Sequence, residues 1–322
     1  MAKKSSCTNI NLRKAKNTKD DEFFTKLSDI ENELRNYKHH FSGKVVLCNC
    51  DESEHTNFYK YFELNFIALN LKKLICVGYR TNRVAEVHVL ERVADYRVNE
   101  YNIPLKGHGD FRDQESIDFL QEADIVVTNP PFSLFREFVA QLIEYDKKFL
   151  IIGSMNAISY KEIFPLLKNN KLWLGYNWPK EFIQPDGTPK KFGNIIWFTN
   201  LDTLKRHEVL FTGMTYERGL KKGLYQKYDN YDAINVDKVK DIPTDYKGVM
   251  GVPISFLDKH NPEQYEIIGL FNNYNKEVCK ELDFCICGET QEIPHKSGKS
   301  IKFRGPIVNA KAAYARIIIK KL

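Results

Sequence analysis

One short stretch of the sequence combines side chains that can hold and polarise an amine. Asn129, Pro130, Pro131 and Phe132 follow the apolar residues 125–127 after a single threonine, and this run is typical of a buried parallel strand. The two prolines cannot donate to a sheet ladder and they fix φ, so the turn is stiff. The Asn129 side-chain oxygen and the Pro130 carbonyl can each accept one amine N–H, while Phe132 can stack on a planar ring. This pattern favours catalysis by positioning and polarisation over a plain strand-ending turn.

Three further loops follow predicted strands, where open α/β sheets place their ligands. Asn49 and Asp51 end the first strand without a Gly-x-Gly turn, and the acidic Asp51 suits a cationic ligand better than a phosphate. An ordinary exposed loop is the simpler interpretation there. Residues 79–80 carry no acid for ribose hydroxyls, so the signal for a nucleotide there is weak. Asp110 can accept a hydrogen bond from an adenine amine, and Phe111 can cover the adenine ring. A helix N-cap region is an equally good interpretation of these residues.

The elements that would position these loops alternate between strand and helix from residue 44 to about residue 200. This alternation predicts an α/β fold with a doubly wound, mostly parallel, Rossmann-like sheet. Residues 84–90 and 101–105 are shorter strands that form a candidate hairpin. Phe58, Phe62 and Phe66 have helical spacing and are most simply core residues. The regular sequence pattern of alternating strands and helices ends near residue 205. We therefore predict one domain at 1–205 and a second region at 206–322, which is closed by a strand at 314–320.

Charge placement in the 322-residue chain indicates a polyanionic partner. The net charge is only +6, but residues 1–19 carry six basic residues and no acid. The tail after Glu292 carries a further eight basic residues, again without an acid. Such ends suit phosphate contacts, although solvated termini are the plain alternative. No stretch has the apolar length of a membrane helix or the core of a signal peptide, so we expect a cytoplasmic protein.

Seven cysteines, an odd number, predict no disulfide framework in a cytosolic chain. A zinc site built from Cys279, Cys285, Cys287 and His295 is conceivable. The one-residue spacing of Cys285 and Cys287 does not match the usual zinc knuckle, and the pair alternates like an ordinary strand. We therefore predict no metal site.

At this point the chain resembles a known family, the EcoRI-type adenine-specific DNA methyltransferases of restriction–modification systems. The Asn129–Phe132 motif is similar to the catalytic motif of amino-methyltransferases that use S-adenosylmethionine. The matching pieces cover most of the chain, which makes the resemblance far more specific than the tetrapeptide. They are residues 21–25, 29–34, 46–51, 109–111, 124–135, 145–152, 227–235 and 248–254.

The resemblance implies a methyltransferase sheet and methyl transfer from S-adenosylmethionine to the N6 amine of an adenine that is flipped out of double-stranded DNA. It implies that Phe24 and Thr25 contact the methionine end of the cofactor, with Asn49 and Asp51 in place of the usual Gly-rich loop. Asp110 and Phe111 would hold the cofactor's adenine. The whole of the Asn129–Phe132 motif would hold the target, and its asparagine would also border the cofactor.

The resemblance also implies a DNA-recognition region in or before the C-terminal part, within about 176–235. Lys190-Lys191-Phe192 is a candidate DNA contact there, although surface lysines often do nothing specific. A monomer is expected, with a cognate restriction endonuclease that shares the site without binding this chain. Two alternatives stay open at this point: methylation of RNA adenine or protein glutamine, and a non-catalytic DNA-binding protein on the same scaffold.

Overall fold

A computed structural model describes residues 23–51, 56–80, 84–94, 97–184, 186–294 and 300–322 of the chain. The basic arm at residues 1–19, the side chain of Asp51 and the candidate zinc ligand His295 lie outside the described parts. The chain forms two compact units, one containing residues up to Ile158 with Leu174–Leu201 and the other containing Ser159–Trp173 with Asp202–Leu322. The functional division at residue 205 stays a prediction.

Within its described residues, the first unit contains an eight-stranded sheet, a three-stranded sheet and four α-helices. The strands are β1 (Phe24–Thr25), β2 (Val45–Asp51), β3 (Lys73–Gly78), β4 (Glu86–Ala94), β5 (Arg97–Pro104), β6 (Ile125–Thr128), β7 (Lys148–Ser154), β8 (Trp173–Leu174), β9 (Glu181–Ile183), β10 (Pro189–Lys191) and β11 (Ile195–Thr199). The helices are α1 (Leu27–Leu34), α2 (Asn57–Asn65), α3 (Gln114–Glu122) and α4 (Phe135–Glu144).

The large sheet is mixed, with the strand order β5-β4-β3-β2-β6-β7-β11-β8. Its four central strands, β3, β2, β6 and β7, pair in parallel. By contrast, β4 pairs antiparallel with both β3 and β5, and β11 pairs antiparallel with β7. The mostly parallel arrangement predicted from the sequence is therefore limited to the centre of the sheet. The physical reason is that β4 and β5 form the candidate hairpin, whose short connection permits only antiparallel pairing.

Apolar runs and helical faces build the core of this unit. All four residues of β6 are buried, as a central parallel strand requires. In α1, Ile30 and Leu34 are fully buried. The Thr56 hydroxyl caps α2 by accepting the Tyr59 N–H at 3.1 Å, which satisfies an otherwise unpaired donor of the first turn. The aromatic residues predicted for the core, Phe58, Phe62 and Phe66, are all buried.

Within its described residues, the second unit is built around a six-stranded sheet and two hairpins. The strands are β12 (Gln226–Lys227), β13 (Ile234–Asn235), β14 (Val249–Pro253), β15 (Tyr265–Phe271), β16 (Cys285–Ile286), β17 (Gln291–Pro294), β18 (Ser300–Phe303), β19 (Ile307–Val308), β20 (Lys311–Ala312) and β21 (Arg316–Lys321). The sheet has the order β12-β13-β14-β21-β15-β16, and the hairpins are β17–β18 and β19–β20. The predicted closing strand is confirmed as β21, which carries the buried Ile317, Ile318 and Ile319. The helices are α5 (Phe164–Lys168), α6 (Tyr216–Lys221) and α7 (Lys276–Glu281).

The second unit corrects the expectation about cysteines. Cys279 in α7 and Cys287 after β16 form a disulfide across a Cα–Cα distance of 6.4 Å. The prediction of no disulfide is therefore wrong at this position, because the chain returns past α7 and brings two cysteines within bonding reach. Two of the four candidate zinc ligands are consumed by this bond. No cluster of metal-ligating side chains occurs among the described residues.

No α-helix in the described ranges is both long and apolar enough to cross a membrane.

Candidate active site

The candidate site lies where the order of the central strands reverses direction. From β2 the chain passes to β3 on one side of β2, whereas β6 lies on the other side. Ligands of open α/β sheets bind outside the carboxyl ends of the strands at such a switch point. Asn49 lies near the carboxyl end of β2 and Asn129 follows β6, so both stand at this position. The Thr128 hydroxyl donates a hydrogen bond to the Asn49 carbonyl, which ties the two strand ends together.

Asn129 is fixed by one hydrogen bond and offers one open acceptor. Its Nδ2 donates to the Phe23 carbonyl at 2.6 Å, which sets the orientation of the amide. The side chain is only 7% exposed, and its Oδ1 has no partner among the described residues. A buried acceptor without a donor costs roughly 1–3 kcal/mol and calls for a functional explanation. An amine N–H of a bound substrate would supply the missing donor.

Two further open acceptors belong to residues predicted to bind the cofactor. Thr25 Oγ1 and Asn49 Oδ1 are buried and have no partner within the described parts of the chain. The backbone of β1 is held close by, because Asn57 Nδ2 donates to the Thr25 carbonyl at 2.7 Å. The structure thus brings β1, the end of β2 and the end of β6 to one place, through Phe23 and Thr128. Open acceptors in this arrangement fit a ligand rich in N–H or O–H donors.

The end of β2 makes its turn without glycine. Cys50 adopts a left-handed conformation with φ of 74°, and the pairing of β2 with β3 shifts register between Asn49 and Asp51. Such a conformation in a non-glycine residue costs about 1–3 kcal/mol and clusters at functional sites. The sequence has no Gly-x-Gly here, and the left-handed conformation of Cys50 provides the turn. The Cys50 thiol is not disulfide-bonded.

Four phenylalanine rings pack beside the Asn129–Phe132 loop. Phe132 lies 6.2 Å from Phe23 and 6.3 Å from Phe192, measured between ring centroids. Phe23 and Phe192 meet edge to face at 4.8 Å, and Phe182 adjoins Phe192 at 5.6 Å. The Lys190 ammonium lies 4.7 Å from the Phe23 ring centroid. We call these four rings the aromatic cluster. Sequence reasoning missed Phe23, Phe182 and the ring role of Phe192, because their partners come from distant segments.

The segment that carries β9 and β10 is anchored by a buried carboxylate that sequence reasoning also missed. Glu33 in α1 accepts the backbone N–H groups of Tyr176 and Asn177, each at 2.8 Å. The Asn177 amide and the Tyr37 hydroxyl donate to it as well, at 2.9 Å each. Burial raises the pKa of Glu33, and these donors oppose that rise by stabilising the charged form. Glu33 thus fixes the start of the segment that supplies Lys190 and Phe192.

The loop at residues 107–111 approaches the end of β3. Gly109 has φ of +77°, and a β-carbon there would lie 2.4 Å from the Gly78 carbonyl oxygen. The Arg80 N–H donates to the His108 carbonyl at 2.9 Å, which holds the two segments together. Glycine is required at position 109 both for its conformation and for this close approach. The loop therefore lies at the same carboxyl edge of the sheet as Asn49 and Asn129.

In this loop the polar side chain is fully engaged within the protein. Both carboxylate oxygens of Asp110 accept from Arg112, at 2.8 Å from Nε and 2.6 Å from the terminal nitrogen. The hydrogen bonds from Arg112 lower the pKa of Asp110. Phe111 is buried against Phe138 with ring centroids 5.1 Å apart. The N-cap of α3 is Asp113, so Asp110 lies three residues before the cap.

A protein-family model matches nearly the whole chain. The model described as "Adenine-specific methyltransferase EcoRI" matches residues 11–322. The Type II methyltransferase M.EcoRI of Escherichia coli is 48% identical over 294 residues, which cover 82% of this chain and 90% of that protein. The Type II methyltransferase M.MgeORF184P of Mycoplasma genitalium is 39% identical over 337 residues, covering 96% of this chain and 98% of that protein.

A third relative, the Type II methyltransferase M.MpnI of Mycoplasma pneumoniae, is 38% identical over 330 residues, with 96% of this chain and 98% of that protein covered. The comparison with solved structures gives no match. The family match and the identities over most of each chain agree with the strand-ending Asn129–Phe132 motif at the switch point. The chain therefore belongs to the EcoRI-type family of adenine-specific methyltransferases.

Proposed function

We propose that this protein transfers a methyl group to the exocyclic N6 amine of adenine at a specific site in double-stranded DNA. The observation that carries the proposal is the buried, unpartnered Oδ1 of Asn129 at the carboxyl end of β6. The amine of adenine is conjugated with its ring and is a poor nucleophile. An acceptor beside the amine would bind its N–H group and make the nitrogen lone pair more available for attack on the methyl group.

The target loop divides the work among its residues. Asn129 Oδ1 and the Pro130 carbonyl accept the two amine N–H groups, which orients the nitrogen lone pair toward the methyl donor. Pro131 keeps the loop stiff, and Phe132 contacts the ring face. The proton leaves the nitrogen after methyl transfer, so no side chain has to act as a base before attack. Positioning and polarisation in a preorganised site supply most of the rate enhancement.

The residues at the switch point fit S-adenosylmethionine, which would supply an electrophilic methyl group on a sulfonium. Its α-amino group and ribose hydroxyls are donors, and the open acceptors of Thr25 and Asn49 match them in sign. We assign Phe24 and Thr25 to the methionine end, and Asn49 and Asp51 to the position of the missing Gly-rich loop. Asp110 and Phe111 complete the set at the adenine end of the cofactor.

The target adenine has to leave the DNA stack, because an amine inside a base pair cannot reach a methyl donor. We propose that the residues that recognise the DNA sequence lie within 176–235 and in the C-terminal region at 206–322. The enzyme acts as a monomer on bacterial DNA in the cytoplasm. A restriction endonuclease that shares the site would be a functional counterpart rather than a bound partner.

A direct test offers labelled S-adenosylmethionine together with DNA, RNA and protein. We expect incorporation into duplex DNA alone, as N6-methyladenine at one sequence that methylation sequencing of the expressing host identifies. Labelling of RNA or protein instead would favour the other amino-methyltransferase activities. No labelling, together with no calorimetric binding of the cofactor, would favour a non-catalytic DNA-binding protein.

A further inference from the structure

The Lys190 ammonium lies against the aromatic cluster beside the target loop. Lys190 is the middle residue of β10, where it faces Phe182 of β9 in register, and β9 in turn pairs with β1. Its Nζ lies 4.7 Å from the Phe23 ring centroid and 5.6 Å from that of Phe192. The carbonyl of Phe23 is the group that orients Asn129. One residue therefore links the ammonium to the proposed polarising amide.

This charge is held by ring faces rather than by a carboxylate. None of the ion pairs between described residues includes Lys190, whereas its neighbour in the hairpin, Glu181, pairs with Lys26. Asp186 in the turn accepts instead from the Thr188 N–H at 2.8 Å and from its hydroxyl at 2.6 Å. A cation over aromatic rings keeps its N–H donors available on the side away from them. Lys190 is half-buried, so it remains within reach of a ligand that arrives from solvent.

The proposed reaction leaves one natural partner for this ammonium. The adenine amine needs acceptors, which Asn129 and Pro130 provide, and a cation would repel a sulfonium. A flipped adenosine, however, carries its charged phosphodiester to the rim of the site. Lysine is a common point-charge ligand for phosphate. Resting on the proposed DNA adenine methylation, we propose that Lys190 binds a phosphate flanking the target adenine and so positions the flipped nucleotide over the aromatic cluster.

A lysine at the opposite edge of the large sheet provides a matched control. Lys148 carries the same charge and is exposed, but it begins β7 and pairs with Ile125 at the start of β6, whereas Asn129 follows the end of β6. The test compares Lys190→Met with Lys148→Met on a duplex that contains the sequence identified by methylation sequencing. Methionine keeps most of the unbranched stem and removes the charge. We expect kcat/KM for DNA to fall about tenfold in Lys190→Met, the size of one charge-assisted hydrogen bond, and to change little in Lys148→Met.

Chemical neutralisation of the DNA supplies the decisive measurement. A methylphosphonate replaces, one at a time, each phosphate that flanks the target adenine. At the phosphate that Lys190 binds, this should cost the wild type about tenfold and cost Lys190→Met almost nothing further, because both changes remove one interaction. Losses that multiply at both phosphates to about a hundredfold would overturn the proposal, since groups that do not interact are additive in free energy.

Two further measurements separate the remaining explanations. Cofactor binding by calorimetry should be the same in Lys190→Met and wild type, and a selective loss would instead assign the ammonium to the cofactor's carboxylate. Lys190→Arg should regain part of the DNA effect if charge is what matters. If Lys190→Met melts early and Lys190→Arg stays folded without any such gain, the lysine is only structural. Absence of DNA methylation by the wild type would reject the proposed function itself, a separate outcome.

Discussion

The loop after β6 and the loop before α3 reach the same carboxyl edge of the sheet, yet they treat their polar side chains in opposite ways. The Oδ1 of Asn129 is a buried acceptor without a partner among the described residues, whereas both carboxylate oxygens of Asp110 accept hydrogen bonds from Arg112 in the same loop. The first arrangement stores an unmet interaction that a ligand can complete. The second is already complete, so a ligand must share or displace Arg112 to use Asp110. An open polar atom in a rigid site is therefore the stronger indication of chemistry.

The largest effect is expected at the open acceptor. Asn129→Ala removes the atom that we propose polarises the amine, and we expect kcat to fall by about 10²–10³-fold or more, as for loss of one preorganised group. DNA binding should remain largely intact. The control is Asn200→Ala, because both atoms of that amide are already paired, with Phe149 N–H and the Lys147 carbonyl, each within 3 Å. Asn200→Ala should lower stability while retaining turnover, and full activity in Asn129→Ala would contradict the mechanism.

The next effect tests how the second loop is built. Gly109→Ala adds a β-carbon 2.4 Å from the Gly78 carbonyl in a left-handed conformation. We expect the free energy of unfolding to fall by about 2–4 kcal/mol, measured by urea denaturation. Gly187→Ala is the matched control, since its φ is +84° but nothing lies within 4 Å. That variant should lose only the conformational part, about 1–2 kcal/mol. Equal losses would show that the close approach to β3 is unimportant.

A smaller effect is expected at the aromatic side of the target loop. Phe132→Ala removes the ring that we propose faces the flipped base, and base–aromatic stacking is worth about 1–3 kcal/mol. We expect a matching loss in kcat/KM for DNA and a weaker fluorescence increase from 2-aminopurine placed at the target position. Phe132→Tyr keeps the ring face and should keep most of both signals. An unchanged fluorescence signal in Phe132→Ala would assign the ring to packing alone.

The smallest effect is expected at the Asp110–Arg112 pair, which forms its hydrogen bonds within one loop. Arg112→Met should lower stability at pH 7 by less than about 1 kcal/mol, because the arginine is exposed and solvent screens the pair. Arg112 lowers the folded pKa of Asp110 below its ordinary 3.8. Its stabilising contribution is therefore present above pH 3.8 and is lost as the pH falls through the folded pKa. Wild-type and Arg112→Met unfolding curves should converge in acid, and a constant difference down to pH 2 would be the wrong outcome.

The same variant sharpens the comparison between the loops. If Asp110 holds the cofactor's adenine, Asp110→Ala should weaken cofactor binding more than Arg112→Met does. If Arg112 competes for the carboxylate, Arg112→Met should bind the cofactor more tightly than wild type. Calorimetry of both variants decides between a shared and a displaced arginine. A wild-type affinity for the cofactor in Asp110→Ala would show that Asp110 does not contribute to the cofactor site.

Much of the scaffold could be predicted because its signals are local. A short apolar run that stops at Asn-Pro-Pro-Phe specifies a buried strand and a stiff turn, and β6 confirms the strand. Helical spacing of Phe58, Phe62 and Phe66 likewise predicted their burial. The parallel order was over-extended, since a strand pattern does not encode the direction of its neighbour. The Cys279–Cys287 disulfide was missed for a related reason, because distance in space depends on how the chain returns.

The amino-acid sequence alone was enough to predict the α/β class of the fold, the candidate target loop at residues 129–132 and, through the resemblance, the family to which the chain belongs. It named Asn129 because residue type and the preceding strand are adjacent in the chain. Which atoms of these residues lack a hydrogen-bond partner, and which are already paired, depends on the three-dimensional fold. Phe23 fixes the Asn129 amide, Glu33 anchors the segment of Lys190, and Arg112 occupies Asp110. Hydrogen-bond satisfaction depends on three-dimensional neighbours, and most of these partners lie far away in sequence.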